Sequence, residues 1–173
     1  MHLCILLIVK NEFLLNFTDI YMSYADDIYR FAFHITGNQF DAKDITSETF
    51  VRAWAHSSTI QVETLKAYLL TIARNIYLEQ LRKRKHLVLA NDQNTNPVPG
   101  PDIMLESKLK LERIQSFLQT LPEVDRAAFI LRIYNDIPYD EIARILELSL
   151  SATKVKIYRV RKKIIKYFKD KED

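Results

Sequence analysis

Two runs of positive charge are the residues best equipped to do chemistry. The segment "SLSATKVKIYRVRKKIIKYFK", Ser149 to Lys169, carries eight lysines and arginines and no acid, and "RKRK", Arg82 to Lys85, adds a shorter block. No acidic residue in the first run stands at i+4 to make the usual helix-stabilising pairs, so its like charges repel one another until a polyanion approaches. Against these stand Asp19 to Glu48, with six acids beside only Arg30 and Lys43. That stretch suits a basic partner, and the small net charge of +3 conceals the segregation. Catalysis has no comparable foothold: the chain lacks a Gly-rich phosphate loop, a nucleophile elbow, a Cys–His pair in register and a helical Glu-x-x-His motif. Asp41, Asp44 and Glu48 form an acidic group but have no histidine or second acidic helix to complete a metal site. The expectation is a binding protein that is not an enzyme and needs no cofactor or metal.

The elements that must carry these charges are helices. With 173 residues, 48% of them hydrophobic, and only two glycines, the chain has material for a packed core but little for the tight turns of a sheet protein. The fold class is therefore all-α, as two small helical domains on a flexible tether. The polar run "NDQNTNPVPGP", Asn91 to Pro101, concentrates three of the five prolines and marks that tether. The organisation is 1–88, a linker at 89–106, and 107–173. A flexible run of about 15 residues spans roughly 20 Å. One cysteine, Cys4, excludes an internal disulfide and fits a reducing, cytoplasmic setting. The apolar opening "MHLCILLIV" is too short for a membrane span and lacks a signal peptide's basic start; an extra helical turn or frayed end is expected there.

Periodicity places the helices. Asn16 to Thr36 repeats Phe17, Ile20, Tyr21, Tyr24, Ile28, Phe31 and Ile35 at spacings of three and four, and "TGN" stops it. Asp41 is the expected N-cap of "DAKDITSETFVRAWA", whose inward stripe is Ile45, Thr46, Thr49, Phe50, Ala53 and Trp54. Asp44, Ser47, Glu48, Val51 and Arg52 are left outside. In "LKAYLLTIARNIYLEQLRKRKH", Leu65, Leu69, Ile72, Ala73 and Ile76 pack inward, while Tyr68, Asn75, Glu79 and Arg82 share another face. Beyond the linker, Met104 to Leu118 reads as a helix, Pro122 opens the next, and "IPYDEIARILE" starts a short one. Ser149 or Ser151 then caps a long final helix with Thr153, Ile157, Val160, Ile164 and Phe168 inward.

A short helix, a tight turn and a long basic helix outline a helix-turn-helix. The outward set of the last helix is Lys154, Val155, Lys156, Tyr158, Arg159, Arg161, Lys162 and Lys163. A helix fits the major groove of B-form DNA, its first residues reach base edges, and later cations neutralise phosphates. The basic run is accordingly read as a holder of duplex DNA, in preference to a solvated charged face or a membrane-surface helix.

Three stretches, "DAKDITSETFVRAW", "LKAYLLTIARNIYLEQLRKRK" and "LPEVDRAAFILRIYNDIPYDEIARILELSLSATKVKIYRVRKKI", resemble in order the signature blocks of the extracytoplasmic-function sigma factors of bacterial RNA polymerase. The resemblance runs from about Phe17 to Phe168. It implies a first domain that docks on core polymerase and reads the melted minus 10 element, and a second that reads the minus 35 duplex. Asp41, Asp44, Ser47, Glu48, Val51 and Arg52 fall in the family's docking helix, which engages a coiled coil of the largest polymerase subunit. The minus 10 strand is expected at His56, Ser57, Ser58 and Thr59, and at Tyr68, Arg74, Asn75, Tyr77, Arg82, Lys83, Arg84 and Lys85. There, aromatic faces would stack bases and cations would follow the backbone. The minus 35 contacts land on Ser151, Lys154, Val155, Lys156, Tyr158, Arg159 and Lys162.

The resemblance also makes promoter DNA, core polymerase and an anti-sigma factor the expected partners. The chain departs from the family at the helix-turn-helix corner, where Glu147 stands in place of the usual Gly: either it takes a conformation that favours Gly or the turn differs slightly. A stand-alone helix-turn-helix regulator is the alternative, but it would carry a sensor or dimerisation module where this chain has an acidic helix followed by an aromatic and basic one.

Overall fold

The computed structural model describes residues 2–55, 65–88 and 105–169, with side chains over 17–55, 65–84 and 112–169. Among the described residues there are seven helices and no strand: α1 (His2–Thr36), α2 (Gln39–Ala55), α3 (Leu65–Val88), α4 (Leu105–Gln119), α5 (Glu123–Ile133), α6 (Tyr139–Leu146) and α7 (Leu150–Lys169). Helix α1 starts about four turns earlier than the apolar periodicity required, because no Gly or Pro interrupts the chain before Gly37. The proline-rich tether lies outside the described residues.

Local chemistry fixes the corners. Gly37 ends α1 with φ +73, and Asn38, not Asp41, caps α2: its Oδ1 accepts from the backbone N–H groups of Phe40 at 2.8 Å and Asp41 at 3.3 Å. Asp41 is thereby freed from the capping role expected of it. A Cβ added at Gly37 would lie 3.2 Å from Gln119 Nε2, so the corner is closed by α4 as well as by backbone geometry. Pro122 and Pro138 each sit just before their helices, one position earlier than expected for Pro122. Ser149 caps α7, its Oγ accepting from Ala152 N–H at 3.1 Å.

The first three helices pack mutually, and α5, α6 and α7 do the same. Ile45, Thr46, Thr49, Phe50 and Ala53 are buried on α2, with Trp54 half-buried, which matches its apolar stripe. Tyr21 is the exception on α1: it is 43% exposed and leans on Phe50 with ring centroids 4.8 Å apart. On α7, Thr153, Ile157 and Val160 are buried, and Ile164 and Phe168 are half-buried where the helix runs off the core.

The two groups also pack against each other, α1 on α4 and α5, and α3 on α6, in one continuous core. Polar contacts are set into this apolar seam. Arg126, 7% exposed, donates from Nη2 to Tyr77 Oη at 2.6 Å and from Nη1 to Gln119 Oε1 at 2.7 Å. Arg74 forks onto Glu123 at 3.1 and 3.3 Å. Asn135 donates to the carbonyl of Asp27 at 2.8 Å, and Gln115 donates to the carbonyls of Phe33 and His34. Arg126 Nε and Asn135 Oδ1 are buried without a partner, a penalty of about 1–3 kcal/mol for each orphan.

His34 sits in this seam, stacked on Tyr134 at 3.7 Å and donating from Nδ1 to Gln115 Oε1. Burial, first, and the nearby Arg30 charge lower its pKa, with the Gln115 bond opposing them. The unfolded imidazole therefore takes up its proton at higher pH than the folded one. The stability His34 contributes is fully present above its ordinary value of 6.5 and is lost as pH falls through the lowered folded value. The thermal midpoint should drop as the pH is lowered through and below the ordinary value of 6.5, and His34→Gln should flatten that part of the profile, as calorimetry can check.

Glu147 closes α6 in the left-handed conformation, φ 56 and ψ 44, so the turn keeps its shape and the residue takes the conformation that favours Gly. Its N–H bonds Arg144 O at 3.3 Å, and Leu148 N–H reaches back to Ala143 O at 2.8 Å. A non-glycine residue there costs about 1–2 kcal/mol, partly offset in glycine by about 0.5–1 kcal/mol of chain entropy. Glu147→Gly should thus raise the melting temperature by roughly 2–4 °C in a thermal scan.

Candidate nucleic-acid interface

Two of the three side-chain groupings expected from the sequence lie together on exposed helix faces, and the third divides. The clearest is on α7. Ser151, Lys154, Val155, Tyr158, Arg159 and Lys162 are exposed along one side of the helix, with Thr153, Ile157 and Val160 anchoring the opposite side. Lys162 Nζ lies 5.1 Å from the centre of the Tyr158 ring, so the aromatic face and the cation form one unit. Ser151 Oγ is 3.0 Å from Ser149 Oγ, at the helix N-terminus, where backbone N–H groups favour an anion. Lys156 differs from its neighbours: half-buried, it is paired with Asp125 of α5 at 2.6 Å. It braces the recognition helix against its support.

The acidic helix α2 presents Asp44, Ser47 and Val51 to solvent, Val51 at 63% exposure, and Phe40 at its start is 78% exposed. Glu48 and Arg52 are half-buried and joined at 2.8 Å, and Arg52 also forks onto Glu79 of α3 with two bonds of 2.9 Å. Hydrogen bonding to Arg52 holds the Glu79 carboxyl below its ordinary value, while the two carboxylates raise the Arg52 guanidinium above its own. Asp41 is bonded to Arg84, which ties α2 to the basic end of α3.

The minus 10 candidates divide. Asn75, Arg82, Lys83 and Arg84 are exposed, and Tyr68 is half-buried against the core. Arg74 and Tyr77 face the other way, into the seam, where Glu123 and Arg126 hold them. His56, Ser57, Ser58 and Thr59 lie outside the described residues, as does the side chain of Lys85. Sequence periodicity missed Glu123, Arg126, Asn135, Gln115 and His34 as a set. Each looks like ordinary helix surface within its own element, and the only available hint was the excess of polar residues on faces that also carry apolar ones.

Among the described residues, no group of three His, Cys, Asp or Glu side chains could hold a metal ion, and no helix is long and apolar enough to cross a membrane.

Two family models match the chain in order, Sigma-70 region 2 over residues 20–87 and Sigma-70 region 4 over residues 111–164. ECF RNA polymerase sigma factor EcfG of Rhodopseudomonas palustris (strain TIE-1) is 31% identical over 139 residues, covering 78% of this chain and 75% of the relative. ECF RNA polymerase sigma factor SigM of Bacillus subtilis (strain 168) is 29% identical over 151 residues, 84% and 91% of the two chains. SigE of Mycolicibacterium smegmatis is 30% identical over 158 residues; that match takes 88% of this chain but spans only 61% of SigE. Among solved structures, the sigma factor RpoE, crystallised with the anti-sigma factor NepR from Bartonella quintana, has the same fold. It superposes with a TM-score of 0.79 over 89% of this chain and 97% of its own, at 24% identity. The two matched regions fall in order on α1 to α3 and on α4 to α7, and the protein belongs to the extracytoplasmic-function family of RNA polymerase sigma factors.

Proposed function

We propose that this sigma factor guides bacterial core RNA polymerase to its promoters through a division of labour between two domains, 1–88 and 107–173, joined by a linker at 89–106. The observation that carries the proposal is the free basic and aromatic side of α7, held at a capped N-terminus behind a helix-turn-helix corner. In the minus 35 major groove, Lys154, Val155, Tyr158 and Arg159 meet base edges, and Ser151 and Lys162 meet phosphates. Lys156 is kept from the DNA by Asp125 and serves instead to fix the helix. Asp44, Ser47, Glu48 and Val51 form the docking surface for the coiled coil of the largest polymerase subunit, with Arg52 fixing the Glu48 carboxylate. The melted minus 10 strand is taken by the segment from His56 and by α3.

The protein supplies recognition and not catalysis, and its place is the cytoplasm, where the polymerase works. A stand-alone regulator is disfavoured by the acidic docking surface, which duplex binding alone does not need. Transcription in vitro with core polymerase and a randomised promoter library tests the whole proposal: enriched sequences at both elements support it, and the absence of any transcript removes it.

Two narrower outcomes are expected. Asp44→Lys combined with Glu48→Lys should weaken binding to core polymerase by about tenfold or more through like-charge contact, with minus 35 duplex binding retained. Lys162→Ala should weaken DNA binding uniformly and lower the salt slope by about 1, whereas Arg159→Ala should relax one base position by roughly 1–3 kcal/mol. Footprinting on mixed promoter sequences separates the two, and equal loss at every base for Arg159→Ala would make it a phosphate contact.

A further inference from the structure

We infer, on the assignment of α2 as the polymerase-docking helix, that Phe40 anchors that face, and that the face packs on its partner as a coiled-coil seam closed by an apolar residue at each end. Phe40, Asp44, Ser47, Val51 and Ala55 are all exposed and follow one another at spacings of four, three, four and four. Wound on a helix they fall within about 80° of arc, opposite the buried Ala42, Ile45, Thr46, Thr49 and Ala53. Every residue of α2 exposed after Lys43 lies on this stripe. The four-three-four repeat is that of the seam positions of a coiled coil, where each side chain enters a hole formed by four residues of the facing helix.

The ends of the stripe distinguish it from a solvated acidic face. Phe40 is 78% exposed and Val51 63%, about 16 Å apart along the axis. Local chemistry holds the ring there: Asn38 Oδ1 accepts from Phe40 N–H at 2.8 Å, directly after the reversal at Gly37, so Phe40 stands in the first turn of α2. The order along the stripe dictates what the facing helices present. Phe40 and Val51 each call for an apolar side chain, Asp44 between them calls for a lysine or arginine, and the small Ser47 and Ala55 let the helices approach closely. Charge selects the occupant. A second copy of this chain would gather two sets of Asp44 and Glu48 on one seam, with the exposed Lys43 of each off the stripe, whereas a coiled coil bearing cations answers them. The work is thus divided: Asp44 and Glu48 steer the encounter, and Phe40, a desolvated aromatic once docked, sets how long the complex lasts.

The test uses full-length variants with purified bacterial core polymerase, and reads association and dissociation of the fluorescently labelled chain at low and high salt. Phe40→Ala should dissociate about tenfold to thirtyfold faster, with an association rate and salt dependence within about twofold of the parent. Phe40→Leu should recover most of the lifetime, and Lys43→Ala, off the stripe, should match the parent. Because Phe40 is exposed, thermal midpoints should stay level across the set. A photoreactive phenylalanine analogue at position 40 should cross-link to the coiled coil of the largest polymerase subunit, and it decides the matter should the midpoint of Phe40→Ala fall. Dissociation of Phe40→Ala at the parent's rate, or a cross-link to any other part of the polymerase, overturns the anchor. Where Asp44→Lys with Glu48→Lys still weakens binding in that case, the docking assignment stands without Phe40. If neither set of substitutions alters polymerase binding, the docking assignment fails and the anchor with it. Sedimentation showing a dimer of the parent that Phe40→Ala abolishes, with polymerase binding unaltered, gives the face to a second copy instead.

Discussion

A guanidinium cannot be left uncompensated in an apolar seam, and Arg126 is almost wholly enclosed where α3, α4 and α5 converge. Its cost of burial is met by Gln119 and the Tyr77 hydroxyl, which belong to different halves of the chain. That requirement sets much else. Tyr77 must turn away from the exposed side of α3, α4 must end close enough for Gln119 to reach, and the pair Arg74–Glu123 falls into register beside it. Burial raises the Tyr77 hydroxyl above its ordinary value despite the neighbouring cation, so the group stays neutral and remains a good acceptor for Arg126.

A second pattern is that charges which look exposed in sequence are mostly balanced within the fold. Arg52 is held by Glu48 and Glu79, Arg84 by Asp41, Lys156 by Asp125 and Lys66 by Asp27. Exposed pairs of this kind contribute little to stability, about 0–1 kcal/mol each. Their effect is to fix side chains in place and to subtract charge from the faces where they lie. Against that background the run along α7 stands apart, since Lys154, Arg159, Arg161, Lys162 and Lys163 are all exposed on a helix with no acid in it.

The helices and their inward stripes were legible in the sequence because spacing of three and four reports directly which side is buried, as for Ile45, Thr49 and Phe50 or Thr153, Ile157 and Val160. The left-handed conformation of Glu147 was one of two outcomes its position allowed, the other being a differently shaped turn, and the structure takes the first. Contacts between the two groups were not. Leu70 and Tyr77 are buried on a face of α3 that its own group does not cover, and periodicity within one helix cannot say that a second surface will arrive. Capping chemistry failed on a smaller scale: Asp41 and Asn38 are both good caps, and Asn38, directly after the chain reversal at Gly37, takes the role. The exposure of Asp44, Ser47 and Val51 on α2 and of Lys154, Tyr158 and Arg159 on α7 was legible from spacing, whereas the enclosure of Arg74 and Tyr77 depends on long-range packing that leaves no local trace.

Gly37 shows how such packing rewrites the meaning of a single residue. Seen from α1 and α2 it is ordinary punctuation, a glycine because the backbone needs a positive φ. Seen from α4 it is a doorway, since the amides of Gln119 and Gln115 lie only 3.2 to 3.4 Å from where its Cβ would be. Asparagine, which tolerates the backbone angle, would still crowd those amides, so tolerance at this corner measures not the bend alone but how firmly the two halves of the molecule lean together.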